Sequence, residues 1–369
     1  MSIVIKIRDR RYGHLGSMLA AADYIAHIQR RDGEIPWSRW GRTDPWDHVE
    51  SAMGLTVGGY RSRARKAYLW CADKQLPDGS WWSCYRRGKP RRGAYKDSNM
   101  TAYLATGVFH YYLATGDKAF VYTMWPVVDK AMAYVEGLQA GTGQIYWAQK
   151  ADGTTDTKAL LAGSCSIYFS IGCAIRIAHL VGEQRPNWLH MRRRLQKAIV
   201  EYEELFDVST RRYAMDWYYP VLCGALRDKA AHERIEGQWG RFVIPGIGVR
   251  CVCDRPWLTI AETSELVITL AAMGRMEQAR EVLGWIKNTR YRNGAYWTGF
   301  TLPDCRIYTK EKTTWTAAST LLAADIVYEI TPASELFSHS FWEGILDTAI
   351  DVETPRQVSH DEPMATAAL

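Results

Sequence analysis

The chain reads as an all-α protein, an (α/α)6 toroid of six helical hairpins. Three observations carry that expectation. From residue 14 onward the apolar residues recur at the helical period, with turns rich in Gly, Pro, Asp and Asn. No run of alternating residues suggests a half-buried strand. A similar stretch occurs four times, the first three 45 to 65 residues apart, which is the mark of stacked supersecondary units.

Taken in order, the pattern predicts helices near 15–30, 45–58, 60–75, 97–115, 117–140, 158–182, 186–206, 217–238, 258–273, 275–289, 312–329 and 334–351. Twelve helices make six antiparallel hairpins, and six hairpins close into a ring around a central funnel. Residues 1–352 are expected to form this one domain. The segment 353–369 is polar and unpatterned and reads as a tail.

The repeated stretch is a helix end, then Gln or Arg, a Gly turn and an aromatic. It occurs at Tyr24 to Trp37, Lys66 to Trp81, Tyr134 to Trp147 and Trp285 to Trp297. Glycine there can end the helix in the left-handed conformation, and the aromatic can pack back on the barrel. Lys66 to Trp81, with Gln75, Gly79 and Trp81 in place, resembles the QW repeat of the squalene-cyclase and protein-prenyltransferase toroids. That resemblance concerns the fold. The chain has no Asp-x-Asp-Asp motif for protonating an isoprenoid, no Asp-x-Cys for the zinc of a prenyltransferase and no Gly-rich phosphate cradle.

Composition narrows the function classes. The 369 residues are 47% hydrophobic and 23% charged, as in a soluble globular protein. The net charge of +6 is scattered through Arg-rich turns with no basic-aromatic module, so no nucleic-acid partner is expected. The N-terminus carries no charged-then-apolar signal, and no 18-residue apolar run occurs. Eight dispersed cysteines read as thiols of a reducing compartment. A cytoplasmic protein without a membrane span is therefore expected. Cys251-Val252-Cys253 lacks a second ligand pair, so neither a metal nor another cofactor is expected. Sixteen Trp and 21 Tyr stand against only 8 Phe. Trp and Tyr add a polar handle to a flat apolar face, which suits a cavity that binds sugar.

The chemistry is expected in two acid clusters. Asp44-Pro45-Trp46-Asp47-His48-Val49-Glu50 opens a helix, with Asp44 able to cap it and Pro45 suited to its first position. Asp47 and Glu50 share one face of that helix, as do Glu262 and Glu265 of a second apolar helix. Buried acids without a basic neighbour are expensive unless they are hydrogen-bonded or functional. Glycoside hydrolysis needs two carboxyls on opposite sides of a glycosidic bond. Asp47 and Glu262 are the expected pair, with Glu50 and Glu265 raising their proton affinity by like-charge repulsion. Spacing does not say which is acid and which is base.

Other clusters could line the funnel and hold the sugar. Asp97 and Asn99 start a helix, where Asp97 also reads as a simple cap. Asp216, Trp217 and Tyr218 combine an acid with aromatics. Arg250 and Trp257 precede the second acid helix. Tyr296, Trp297 and Trp315 offer aromatic faces, and are equally suited to packing. Trp46, His48 and Asp44 complete the set, His48 reading as well as a satisfied structural histidine.

The run of motifs D-P-W-D-H-V-E at 44–50, D-W-Y-Y-P at 216–220, G-V-R-C-V-C-D-R-P-W at 248–257, A-E-T-S-E-L at 261–266, Y-W-T-G at 296–299 and T-T-W-T-A at 313–317 resembles the methylmannose polysaccharide hydrolases, an actinobacterial toroid family. The resemblance spans about 270 residues. It implies an intracellular endo-acting α-mannosidase that cuts α-1,4-linked, partly O-methylated mannan, with an oligo- or polysaccharide as partner. One departure is Cys253, where a small polar residue is expected. An isoprenoid cyclase or transferase on the same toroid is the rival reading, and a non-catalytic glycan-binding module is a third.

Overall fold

A computed structural model describes residues 15–343. Among these residues twelve α-helices run in chain order: α1 Leu15–Ile28, α2 Pro45–Val57, α3 Arg61–Lys74, α4 Ser98–Thr115, α5 Lys118–Glu136, α6 Leu161–Val181, α7 Pro186–Glu201, α8 Ala214–Leu222, α9 Asp228–Phe242, α10 Ile260–Ala272, α11 Met276–Trp285 and α12 Thr314–Tyr328. The even-numbered helices form an inner ring, each packed on the next, and α12 packs back on α2. The outer helices α3, α5, α7, α9 and α11 each cover the inner helix before them, and α1 covers α12. The ring is thus closed by the first helix against the last.

Sequence dictates which helices lie inside. In α3 the buried residues Ala64, Ala67, Tyr68 and Cys71 fall on one stripe, and Arg and Lys fill the other face. In α4, α10 and α12 nearly every residue is buried, because neighbours crowd these helices from all sides. Helix α6 is long and apolar enough to cross a membrane, but it is an inner helix of the ring and mostly buried.

The repeated glutamine and glycine staple the outer layer. Gln29 Nε2 donates to the Gly33 and Arg63 carbonyls at 3.1 and 2.9 Å, Gln75 Nε2 to those of Gly79 and Val127 at 3.0 and 2.8 Å, and Gln139 Nε2 to those of Gly143 and Met191 at 2.9 and 2.9 Å. Each therefore ties the end of one outer helix to the next. Gly79 has a left-handed φ of +92°, and a Cβ there would stand 2.1 Å from the Lys130 carbonyl oxygen of α5. In the fourth repeat Arg290 replaces Gln and donates to Ser17 Oγ at 3.0 Å, and Gly294 lies against the Ala20 carbonyl. That staple joins the end of the ring to its beginning.

Among the described residues nine short antiparallel strands lie in the connecting loops: β1 Tyr85–Arg86, β2 Lys89–Pro90, β3 Lys96–Asp97, β4 Ala148–Gln149, β5 Thr155–Asp156, β6 Val243–Ile244, β7 Gly248–Arg250, β8 Trp257–Thr259 and β9 Gly299–Thr301. They form sheets β1-β2, β3-β4-β5 and β6-β7-β8-β9. Each is two or three residues long, too short to show as an alternating pattern.

Two expected helices differ. The single helix at 217–238 is two, α8 and α9, because Gly224 is left-handed (φ +66°) and the Leu226 N–H turns back to the Pro220 carbonyl at 2.8 Å. In place of the start of the helix at 334–351 there are two 3-10 turns, Pro332–Glu335 and Ser340–Trp342, the first capped by Thr331. Aromatics from this segment pack on the inner helices: Phe337, between the two turns, stacks on Phe169 at 5.1 Å, and Trp342 sits against Phe109 and Phe169. The remainder of that expected helix, the tail 353–369 and residues 1–14 lie outside the described residues.

Candidate active site

Four inner helices begin around one cavity of about 250 Å³, and the start of a fifth, α2, adds Trp46. The wall takes Asp97 and Asn99 from the start of α4, Leu160, Ala162, Gly163 and Ser164 from that of α6, Tyr213, Met215 and Asp216 from that of α8 and Glu262 from α10, together with Trp147 and Cys251 from loops. Helix N-termini favour negative charge, so this end of the ring is where carboxylates can gather.

On α2, Asp44 is the N-cap in extended conformation and accepts the Asp47 N–H at 2.9 Å. Asp47 and Glu50 follow one turn apart, both buried. Burial holds the Asp47 carboxyl well above the usual carboxylate range, the Asp44 and Glu50 charges add to it, and Arg42 opposes. Burial likewise pushes Glu50 up to about 8, against the Trp46, Tyr103 and Trp315 donors aimed at it. Trp46 Nε1 donates to Glu50 Oε2 at 3.1 Å.

On α10, Glu262 and Glu265 also lie one turn apart and are buried. Glu262 Oε2 has no hydrogen-bond partner, and the Cys251 thiol faces the same carboxyl. A buried carboxylate oxygen left without a donor is costly in a resting protein and useful where a substrate supplies the partner. Glu265 accepts hydrogen bonds from the Tyr218 hydroxyl and, at 2.9 Å, from that of Tyr219. Burial pushes Glu265 well up, with Glu50 and then Glu262 adding to the shift. Glu50 and Glu265 thus bring the two acid clusters into electrostatic contact across the inner ring.

Asp97 caps α4 by accepting the Met100 N–H at 2.9 Å, and burial raises it to about 6. Asn99 Oδ1 is buried without a partner. Asp216 accepts the Ala162 N–H at 3.1 Å and the Thr210 hydroxyl at 2.5 Å, so it pins the start of α6 to α8 while lining the cavity.

The structure gathers Trp46, Asp97, Asn99, Asp216 and Glu262 at the cavity wall. Asp47, beside Trp46, is outside that lining, and so are Asp44, Glu50 and Glu265. Four expected contacts, His48, Trp217, Tyr296 and Tyr218, turn away from this cavity. His48 is fully buried between helices: its Nδ1 accepts the Ile35 N–H at 3.0 Å and its Nε2 bonds the Ala67 carbonyl at 2.9 Å. Trp217 is stacked on Phe242 at 5.1 Å and donates to the Arg234 carbonyl. Tyr296 is a core residue with no exposed surface. Tyr218 is equally buried and acts on Glu265 instead. Arg250, Trp257 and Trp297 sit outside the lining, Arg250 bonding the Arg241 carbonyl at 3.3 Å, Trp257 that of Tyr308 at 2.7 Å and Trp297 lying edge-on to Phe300. Trp315 lies at the α12 start against Trp37. Trp147, Tyr213, Met215 and Cys251 also line the cavity, although sequence reasoning does not select them. Trp147 has one signal, its place at the end of a repeat.

No family model matches the chain. Over 316 residues it is 48% identical to the MMP endo-(1,4)-3-O-methyl-alpha-D-mannosidase of Mycolicibacterium hassiacum, covering 86% of this chain and 87% of that relative. Among solved structures, a wild-type glycosidase aligns over 88% of this chain and 99% of its own with a TM-score of 0.67 at 13% identity. The GH63 mannosylglycerate hydrolase of Thermus thermophilus in complex with glucose aligns over 82% and 98%, with a TM-score of 0.64 at 13% identity. These two similarities establish the helical toroid. With nearly half of its residues shared over most of both sequences, this chain belongs to the family of the MMP endo-(1,4)-3-O-methyl-alpha-D-mannosidases.

Proposed function

We propose that this glycoside hydrolase cuts internal α-1,4 bonds of 3-O-methylmannose polysaccharide, with Asp47 and Glu262 as the paired carboxyls. The observation that carries the pairing is the approach of the two acid clusters: Trp46 bonds Glu50 and packs on Tyr219 at 6.0 Å between ring centroids, and Tyr219 bonds Glu265. One carboxyl of such a pair protonates the leaving oxygen, and the other activates water or attacks the anomeric carbon. Asp47 is the general acid in this reading, because burial and its acidic neighbours keep a proton on it. Glu262, which lines the cavity and carries one buried oxygen without a hydrogen-bond partner, is the base or nucleophile. Asn99 and Asp97 read hydroxyls, while Trp46, Trp147, Met100 and Met215 offer apolar surface to ring faces and methyl ethers. The family relationship leaves no support for the isoprenoid reading. Eight free cysteines, four of them buried, suit a reducing working compartment.

The test is digestion of α-1,4-linked 3-O-methylmannan, with products sized by mass spectrometry. Oligosaccharides from internal cuts are expected. An intact polymer, or release of monosaccharide alone, overturns the assignment.

A further inference from the structure

The cavity accounts for one side of the carboxyl pair only. A second aromatic surface lies outside the cavity lining. Trp37 and Trp315 meet with ring centroids 5.9 Å apart and planes at 31°, and the Arg42 guanidinium sits over the Trp37 ring at 5.5 Å. All three side chains reach solvent. The patch is continuous with the acid cluster: Trp315 and Trp46 both aim donors at Glu50, and the Arg42 charge acts on Asp47.

The patch is also firmly held. The Trp37 N–H donates to the Arg42 carbonyl at 2.6 Å, the Thr314 N–H to the Trp37 carbonyl at 2.8 Å, and Ser38 Oγ to Glu311 Oε1 at 2.5 Å. These bonds fasten the loop after the first repeat to the start of α12. Two indoles left partly exposed gain less from burial than core residues do, so their fixed placement needs another reason.

Repeat position supplies that reason. Trp37 follows Gly33 by four residues, and Trp147 follows Gly143 by four. Both turns are stapled by the same glutamine bonds, from Gln29 and Gln139. Trp147 lines the catalytic cavity. The same repeat therefore delivers a tryptophan to the mouth twice, once beside the cavity and once beside the α12 start.

We infer that Trp37, Trp315 and Arg42 form a second sugar-binding platform, which takes the part of the mannan chain on the far side of the cleaved bond from the cavity. Indole faces accept the C–H face of a pyranose and its methyl ether, and the Arg42 fork donates to ring hydroxyl or ether oxygens. The inference rests on the proposed substrate and accounts for cutting inside a polymer, since rings are then held on both sides of the bond.

The test uses Glu262→Gln protein, so that ligand stays intact, and calorimetric binding of 3-O-methylmannan polymer and, as a short ligand that cannot span the cleaved bond, of 3-O-methylmannose. Adding Trp37→Ala is expected to weaken polymer binding by about tenfold, equivalent to about 1.4 kcal/mol, and to leave the short ligand within about twofold. Trp37→Tyr, which keeps a ring face, restores most of the affinity. Unchanged polymer binding, or equal loss for both ligands, overturns the platform. A wild-type protein that binds the polymer and leaves it uncut overturns the reaction instead.

Discussion

Glu265 is raised more by Glu50, on a different inner helix, than by Glu262, one turn away on its own. The two clusters, more than 200 positions apart in sequence, are therefore brought close together inside the ring. Tyr218 and Tyr219 hold Glu265 in that position from the side of α8.

Removing either member of the proposed pair is expected to abolish most turnover without unfolding the ring. Asp47→Asn and Glu262→Gln are predicted to lower kcat by about 10²- to 10⁴-fold, the usual range for a lost acid or base. Thermal midpoints stay level or rise, because each change removes a buried acid from a crowded cluster. Cleavage kinetics with calorimetric melting check both; wild-type rates in either variant reject that residue's role.

Glu50 makes stability fall with rising pH. Its folded pKa of about 8 stands above the ordinary 4.5. The folded state holds the proton more tightly, so this group's contribution is fully present below about 4.5 and is lost as pH rises through 8. Glu50→Gln is predicted to flatten the decline between pH 5 and pH 9, by an amount on the order of a few kcal/mol. Equal pH slopes for variant and wild type in denaturant titrations contradict it.

His110 acts in the opposite sense. It is buried on α4, both ring nitrogens lack partners, and burial pushes it down to about 3 from 6.5. Its contribution is fully present above 6.5 and lost as pH falls toward 3. His110→Leu is expected to gain about 2 kcal/mol over wild type on going from pH 8 to pH 5. A stability difference that stays constant with pH counts against this reading.

Gly79→Ala tests the staple. The new methyl meets the Lys130 carbonyl at 2.1 Å and the residue must keep a positive φ. A loss of roughly 2–4 kcal/mol is expected from overpacking and backbone strain together. Gly93, also left-handed but with open space around it, is the control; its Ala variant loses only the strain component. Equal melting of the two variants removes the close approach as the cause.

Much of this is legible in the sequence, for definable reasons. Helical period and the Gln-Gly-Trp repeat are local signals, and they carry the hairpins and the staples. Both acid clusters stand out because acids amid apolar residues are rare. Which neighbour faces the cavity is not legible. Successive helix residues point about 100° apart, so His48 turns toward Ala67 of α3 while Asp47 stays with the acids. Trp217 turns toward Phe242 of α9 while Asp216 reaches the cavity. Trp147, Tyr213 and Cys251 arrive from loops or loop ends, where no periodicity announces a direction.

The closing of the ring by α1 on α12 also bears on how the protein is made. Tyr24 bonds the Lys312 carbonyl at 2.6 Å across 288 positions, and Arg290 bonds Ser17 across 273. A ribosome releases α1 first and α12 last among these helices, so the first stave waits for its partner through nearly the whole of synthesis. The apolar flanks of the early inner helices stay uncovered meanwhile, a state prone to association with other chains. Such long-range closure makes the final step slow, and makes the seam between α1 and α12 the place where a nascent chain most needs shelter.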